Sequence, residues 1–234
     1  MTPTLSRRVV SECLGTGFLV AAVVGSGIMG ERLAGGNVAI ALLANTIATG
    51  AALVALILTF GSISGAHFNP AVTFVDAVEG GLPWSDAARY VAAQFLGGIA
   101  GTIAAHIMFG LPAISVSHHG RSGASQVFSE FVATFGLLCV IWGCSRLRSE
   151  MMPFAVGAYI TAAYWFTAST SFANPAVTLA RSFSDTFAGI RPLDVAPFVA
   201  AQMAGALAAT FLFRWLVPNL KSEAESIIVP KDAS

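Results

Sequence analysis

Charged side chains are scarce in this chain of 234 residues: they make up 10% of it, whereas hydrophobic residues make up 56%. The mean hydropathy is +0.75. Soluble globular domains carry about 25% charged residues, so this composition excludes an ordinary water-soluble domain and predicts a polytopic membrane protein. The 12 basic residues balance the 12 acidic ones and form no basic block, which argues against nucleic acid as a partner.

Cysteine is also scarce, and catalytic patterns are missing. The three cysteines, Cys13, Cys139 and Cys144, lie inside apolar runs, which predicts small buried side chains rather than disulfides or metal ligands. The sequence has no paired carboxylates, no nucleophile with a base at motif spacing and no cluster of metal-ligating residues. We therefore expect neither an enzyme nor a bound cofactor.

Six apolar segments are long enough to cross about 30 Å of hydrocarbon. They run approximately over residues 9–29, 38–60, 87–109, 127–142, 151–168 and 195–217. Two uncharged stretches, residues 33–75 and 151–180, are longer than a single span needs. Each predicts a span followed by a re-entrant segment, because irregular backbone survives at membrane depth only where it lines a cavity or is buried in protein.

The tripeptide Asn-Pro-Ala occurs twice, once near the end of each of these long stretches. The two copies are Asn69, Pro70 and Ala71, and Asn174, Pro175 and Ala176. Asn at the N-cap with Pro at the first helical position is a strong signal for a helix start. Each copy therefore predicts a half-helix that begins at membrane depth, and two converging positive helix ends are suited to handling solutes.

The two halves of the chain resemble each other beyond this tripeptide. The matching polar residues are Glu12 with Glu130 and Gln94 with Gln202. A duplicated unit of three spans explains these matches, and because three is odd, the second copy crosses the membrane in the opposite sense. We expect an inverted repeat of about residues 9–110 and 127–217.

The distribution of basic residues predicts the orientation. With the N-terminus in the cytoplasm, eight of the 12 Lys and Arg residues are cytoplasmic, which obeys the positive-inside rule. The four outer ones are Arg32, Arg121, Arg181 and Arg191. Both termini then face the cytoplasm, and the protein is expected in the lipid bilayer of the cell membrane. Residues 1–218 form one channel domain and residues 219–234 a polar cytoplasmic tail.

The segment from Ser64 to Val72 reads SGAHFNPAV and closely resembles the first-loop signature of the aquaporin, or major intrinsic protein, family. The duplicated Glu and Gln residues and the second Asn-Pro-Ala follow in that family's order, so the resemblance extends from about Val9 to Val217. It implies an all-α membrane protein of six transmembrane helices plus two re-entrant half-helices. It also implies a homotetramer with one passive pore per subunit.

The resemblance implies roles for individual residues. The side-chain amides of Asn69 and Asn174 would donate to the passing solute, while the half-helix dipoles repel cations, protons included. Backbone carbonyls would line the path at Gly65, Ala66 and His67 on the inner side and at Ser171, Phe172 and Ala173 on the outer side. Hydrogen bonds to the re-entrant loops would come from Glu12, Glu130, Gln94 and Gln202. Proton coupling through a glutamate is the alternative, and the ring of His67 either fixes the loop or also touches the lumen.

The chain departs from the family pattern at the pore constriction. Most members have Arg directly after the second Asn-Pro-Ala, where this chain has Val177. By the family's spacing, the other three positions of this selectivity filter fall on Thr49, Ala162 and Ser171. All four side chains are small and uncharged, so the constriction is expected to be wide and to lack one electrostatic barrier to cations.

We therefore expect a passive channel for small uncharged solutes, namely glycerol, urea or undissociated metalloid hydroxides such as arsenous acid, together with water. A water-selective aquaporin and a proton-coupled secondary transporter remain alternatives.

Arg181 lies one helical turn beyond Val177. Three interpretations of Arg181 are open: its side chain reaches back to the constriction, it lies at the outer mouth as an entrance charge, or it pairs with Asp185. His118, His119 and Arg121 are expected in a solvated outer loop, and a metal-binding or pH-sensing role of the two histidines is the alternative.

Overall fold

The structure is a computed structural model that describes residues 3–147 and 149–217. The described residues form eight α-helices and one 3-10 turn, with no β-strand among them. This confirms the predicted all-α class. The proposed tail, residues 219–234, lies outside the described residues.

The helices follow one another in two sets of four. Their bounds are α1 Leu5–Leu33, α2 Val38–Ser64, α3 Pro70–Glu79, α4 Trp84–Met108, α5 Ala124–Leu147, α6 Met152–Phe166, α7 Pro175–Arg181 and α8 Pro192–Leu216, with a 3-10 turn at Ser149–Met151. Within the described ranges, five helices are long and apolar enough to cross a membrane: α1, α2, α4, α5 and α8. Helix α6 corresponds to the fifth of the six predicted spans but has 15 residues, or about 22 Å at 1.5 Å per residue.

The two sets pack in the same way. Helix α1 packs against α2 and α4, and α5 packs against α6 and α8. The half-helices α3 and α7 each contact both α4 and α8, and they also contact each other, while α2 and α6 join the sets at another edge. This repeated packing brings the starts of α3 and α7 to the middle of the bundle.

Glycine permits the closest helix crossing in each set. A Cβ on Gly97 of α4 would overlap the carbonyl oxygen of Cys13 in α1, and a Cβ on Gly205 of α8 would lie 2.5 Å from the carbonyl oxygen of Phe131 in α5. Small residues at these crossings let the two backbones touch, as in other membrane helix pairs.

Polarity is distributed as a membrane environment requires. Large apolar side chains such as Phe18, Leu58 and Leu96 are exposed on the outside of the bundle, where they suit contact with lipid. Polar side chains are buried inside, and Glu12, Gln94, Glu130 and Gln202 are among those that are completely buried. Because a buried charged or polar group is costly without hydrogen bonds, these four residues direct attention to the interior.

Candidate functional site

The two Asn-Pro-Ala segments meet through crossed hydrogen bonds. Asn69 and Asn174 cap α3 and α7 with their Oδ1 atoms, which accept from the backbone N–H of Ala71 (2.9 Å) and Ala176 (2.9 Å). The Nδ2 of Asn69 donates to the carbonyl of Ala173 (2.8 Å), the residue before Asn174. The second amide mirrors the first, so each half-helix start is tied to the opposite loop.

The mirrored bond runs from Asn174 Nδ2 to the carbonyl of Phe68 (2.7 Å). In the hydrogen bonds of the described residues, each amide uses one of its two N–H groups on the opposite loop. A primary amide has two donors. One N–H of each Asn therefore remains for an oxygen atom in the space that both residues border.

The loops that lead into the half-helices share an unusual backbone. Gly65, Ala66 and Phe68 have φ of 87°, 50° and 48°. Thr170, Ser171 and Ala173, at the equivalent places before Asn174, have φ of 61°, 51° and 48°. Non-glycine residues at positive φ cost about 1–3 kcal/mol each and persist only where surrounding contacts hold them, which is typical of functional sites.

Glu12 supplies the contacts that hold the first loop. Its carboxylate accepts from Ser64 Oγ (2.7 Å), the backbone N–H groups of His67 (3.0 Å) and Phe68 (2.7 Å), and Gln94 Nε2 (2.8 Å). Gln94 Nε2 also donates to Thr73 Oγ1 (2.8 Å). A single carboxylate on α1 thus satisfies two backbone donors of an irregular loop inside the bundle.

Glu130 does the same for the second loop. Its carboxylate accepts from the backbone N–H groups of Phe172 (2.8 Å) and Ala173 (2.8 Å) and from Gln202 Nε2 (2.6 Å). Gln202 Nε2 also donates to Thr178 Oγ1 (2.9 Å). The duplicated Glu and Gln residues therefore hold equivalent positions in the two halves.

A cavity runs past both Asn residues, and one of its walls is polar. The polar wall consists of backbone and side chains from the two loops, namely Gly65, Ala66, His67, Phe68, Asn69, Ser171, Phe172, Ala173 and Asn174. Apolar side chains such as Leu19, Val23 and Ile141 line the remainder. Pro70, Ala71, Pro175 and Ala176 are buried behind this surface and are not among its lining residues.

His67 combines the two roles left open by the sequence. Its Nδ1 lies 3.1 Å from Thr73 Oγ1, which fixes the ring within the first half. It also borders the cavity.

Three of the four residues expected at the constriction, Thr49, Ser171 and Val177, line the cavity. Ala162 does not, and its side chain is exposed on the outside of α6. Tyr164 lines the cavity instead, with its hydroxyl 3.2 Å from Thr49 Oγ1. Residue 162 falls on the outer face because successive helical residues turn by about 100°.

A sequence signal for Tyr164 existed. Val156, Ile160 and Tyr164 all line the cavity, and their spacing of four residues marks one face of a helix. The prediction from the family's spacing that the small Ala162 borders the path is wrong, and a large side chain of α6 borders the cavity instead.

Arg181 also lines the cavity, although it is 98% buried, with 2% of its surface exposed. Its guanidinium carbon lies 3.4 Å from the centre of the Phe172 ring, and its Nε donates to the carbonyl of Ala188. The predicted pairing of Arg181 with Asp185 is wrong. Asp185 instead accepts from the backbone N–H of His118 (2.9 Å), and that bond and a second one from the His118 ring hold the pKa of Asp185 below its usual range.

The outer loop contains a residue that the sequence misplaced. Arg121, expected in solvent, is partly buried, and its guanidinium donates to the carbonyls of Gly189 (2.8 Å) and Ser169 (3.2 Å). Burial lowers the pKa of Arg121 to about 10, so it remains charged at neutral pH. Through the bond to Ser169, Arg121 helps to hold the second re-entrant loop in place. His118 is exposed, as expected. Nothing in the spacing of the sequence indicated this contact.

Two half-helices that meet at their N-terminal ends, beside a cavity with one polar wall inside a lipid-facing bundle, define a membrane channel. Comparison with known proteins agrees. A family model described as Major intrinsic protein matches residues 1–172. The chain belongs to the major intrinsic protein family, and it is a channel for small solutes rather than an enzyme.

Individual relatives extend over nearly the whole chain. Aquaglyceroporin AqpS of Rhizobium meliloti (strain 1021) is 58% identical over 213 residues, which are 91% of this chain and 91% of the relative. The probable aquaporin NIP7-1 of Arabidopsis thaliana is 30% identical and covers 89% of this chain and 76% of the relative. The X-ray structure of the aquaglyceroporin from Plasmodium falciparum shares the fold, with a TM-score of 0.72 at 21% identity, over 94% of this chain and 100% of that one.

Proposed function

We propose that the protein conducts small uncharged polyhydroxylated or amide solutes passively: glycerol, urea or undissociated metalloid hydroxides such as arsenous acid, together with water. The crossed amides of Asn69 and Asn174 carry this proposal, because each keeps one N–H for a solute oxygen. A solute would exchange its water partners for these donors and for loop carbonyls along one wall only. It would slide past apolar side chains on the other.

The constriction supports a solute larger than water. Val177 and Ser171 are small side chains that line the cavity, and the buried hydroxyl of Ser171 has no partner among the described residues. Thr49 and Tyr164 add two further hydroxyl groups. A constriction with several hydroxyl groups can both donate to and accept from a polyol, which favours polyhydroxylated solutes over a filter for water alone.

A proton-coupled transporter is the weaker candidate. It would require a glutamate that gains and loses a proton during transport. Each of the two candidates, Glu12 and Glu130, is fully buried and accepts two backbone N–H bonds from a re-entrant loop. Protonation would disrupt that loop, which favours a structural role for both carboxylates.

The setting is part of the proposal. The channel domain, residues 1–218, would lie in the cell membrane with both termini in the cytoplasm, supported by the eight-to-four distribution of basic residues. We also propose a homotetramer, with some exposed apolar faces covered by neighbouring copies. Chemical cross-linking in membranes tests the subunit number, and labelling of single cysteines introduced near each terminus tests the orientation.

Solute flux into proteoliposomes tests the function. Stopped-flow light scattering with water, glycerol, urea and arsenous acid should give fluxes that rise linearly with the gradient and ignore an imposed pH gradient. Flux of water alone would support the water-selective alternative. Flux that saturates and follows the pH gradient would support the transporter.

Val177→Arg tests the constriction directly. The added guanidinium should narrow the cavity and reduce glycerol flux about tenfold, as expected if entry is made harder by about 1.4 kcal/mol. Ala162→Phe is the matched control, since that side chain lies outside the cavity and its enlargement should leave flux unchanged. Equal glycerol flux in Val177→Arg and the parent would show that Val177 is not in the constriction.

A further inference from the structure

One fixed charge borders the cavity. Among the described residues that line it, Arg181 alone carries a permanent charge, and none is a carboxylate. Arg181 also forms no ion pair within the described ranges, and its Nη1 is buried without a hydrogen-bond partner there. A buried charge without an ion pair is costly, so other contacts must help to stabilise this one.

Three contacts supply part of that stabilisation. The Phe172 ring lies under the guanidinium, at 3.4 Å from its carbon atom, which is favourable for a cation on an aromatic face. The carbonyl of Ala188 accepts from Nε. Arg181 is also the last residue of α7, where the negative end of the helix dipole favours a cation.

A second cation reinforces the positive potential of this region. The Arg121 guanidinium lies 4.9 Å from the same Phe172 ring, and its donors are spent on loop carbonyls. Arg121 therefore adds charge next to Arg181 without offering it a partner. The guanidinium of Arg181 therefore borders the cavity, one helical turn beyond Val177, and a second guanidinium lies near the same Phe172 ring.

We propose that Arg181 sets the charge selectivity of this channel: its guanidinium repels cations at the outer part of the lumen and interacts with oxygen atoms of passing solutes. This inference rests on the proposed function as a passive solute channel. It assigns a specificity-determining role to a residue outside the Asn-Pro-Ala segments. Two unit charges several ångströms apart inside a protein repel by enough to change a rate at least about tenfold.

Urea and guanidinium provide a matched pair of probes, since they have the same planar shape and differ in charge. Proteoliposomes with the unmodified protein should pass urea and exclude guanidinium. Arg181→Gln, which keeps donors but removes the charge, should raise guanidinium uptake at least about tenfold while urea flux persists. Arg181→Lys should restore the exclusion. Arg191→Gln removes an outer charge that is bound to Asp194 and should behave as the unmodified protein does.

The outcomes separate the two proposals. Absence of urea and glycerol flux in the unmodified protein would contradict the channel function itself. Urea flux with guanidinium passing equally well in the unmodified protein would overturn the assignment of Arg181, and this result does not depend on any variant folding. The same holds if Arg181→Gln still excludes guanidinium, or if Arg181→Lys leaks as much as Arg181→Gln, since charge would then not decide passage.

Discussion

The two re-entrant halves have the same backbone conformation and differ in side chains on either side of their Asn-Pro-Ala segments. Both loops have positive φ at the same three places, both are held by a buried glutamate, and both Asn residues donate to the opposite loop. The differences lie farther from the centre. His67 in the first half corresponds to Phe172 in the second, and Asp76 corresponds to Arg181, each lying seven residues after its Asn.

Within each half, the two residues that differ lie next to each other. Arg181 lies over Phe172, whereas the Oδ2 atom of Asp76 lies 3.8 Å from the Nε2 atom of His67. Of these two residues, only Arg181 borders the cavity; Asp76 is completely buried and is not a lining residue. The comparison teaches that the duplicated contacts maintain the shape of the pore, while the unmatched residues give its two ends different chemistry.

The largest effect is expected from removing the buried glutamates that both halves share. Glu12→Ala and Glu130→Ala each leave two backbone N–H groups buried without an acceptor, and each such group costs about 1–3 kcal/mol. Both variants should therefore lose about 2–6 kcal/mol of stability and most of their glycerol flux. Thermal unfolding in detergent and stopped-flow measurements report the two losses.

Glu31→Ala is the control for these variants, because it removes an exposed carboxylate from the same helix as Glu12 and should change neither property. The two loops should be affected alike. Loss of stability in one variant alone would show that the two halves do not depend equally on their glutamates.

A smaller effect is expected where one half has glycine and the other does not. Gly65 and Thr170 are equivalent residues at positive φ. Gly65→Ala should lose about 1 kcal/mol, since a left-handed conformation costs about that much for a residue with a Cβ. Thr170→Gly should gain up to about 1 kcal/mol, reduced by the greater flexibility of glycine in the unfolded chain. Thermal unfolding of both variants checks the opposite signs, and a loss of stability in Thr170→Gly would mean that the Thr side chain contributes more than the strain costs.

The smallest effect is expected for Asp76, whose carboxylate does not border the cavity. Both carboxylate oxygens of Asp76 are buried without hydrogen-bond partners in the described part of the chain. Asp76→Asn removes that buried charge at nearly constant shape, so stability should stay within about 1 kcal/mol of the parent. The ratio of guanidinium to urea uptake should not change, in contrast to Arg181→Gln. A rise in guanidinium exclusion would place the Asp76 charge in the lumen after all.

Much of the site could be predicted because it lies in short motifs. Asn69 and Asn174 cap helices through their own local geometry, and the matching Glu and Gln residues follow from the duplication. The predictions for Ala162 and Arg121 were wrong for different physical reasons. The rotation of α6 decides which of its side chains faces the cavity, and a count from a family pattern does not measure that rotation. Arg121 reaches a loop 48 residues farther along the chain at Ser169, and no local pattern encodes such a contact.

The sequence by itself determined the membrane class, the inverted duplication and the two half-helix starts, because hydropathy, spacing and capping act over a few neighbouring residues. Only the tertiary structure decided which side chains border the cavity and how the charged groups near it are bound. Tyr164 enters from α6, Arg181 is held by the Phe172 ring and the Ala188 carbonyl, and Asp185 is bound to His118 instead. These contacts join segments far apart in the chain, and their geometry depends on how whole helices pack and rotate against one another.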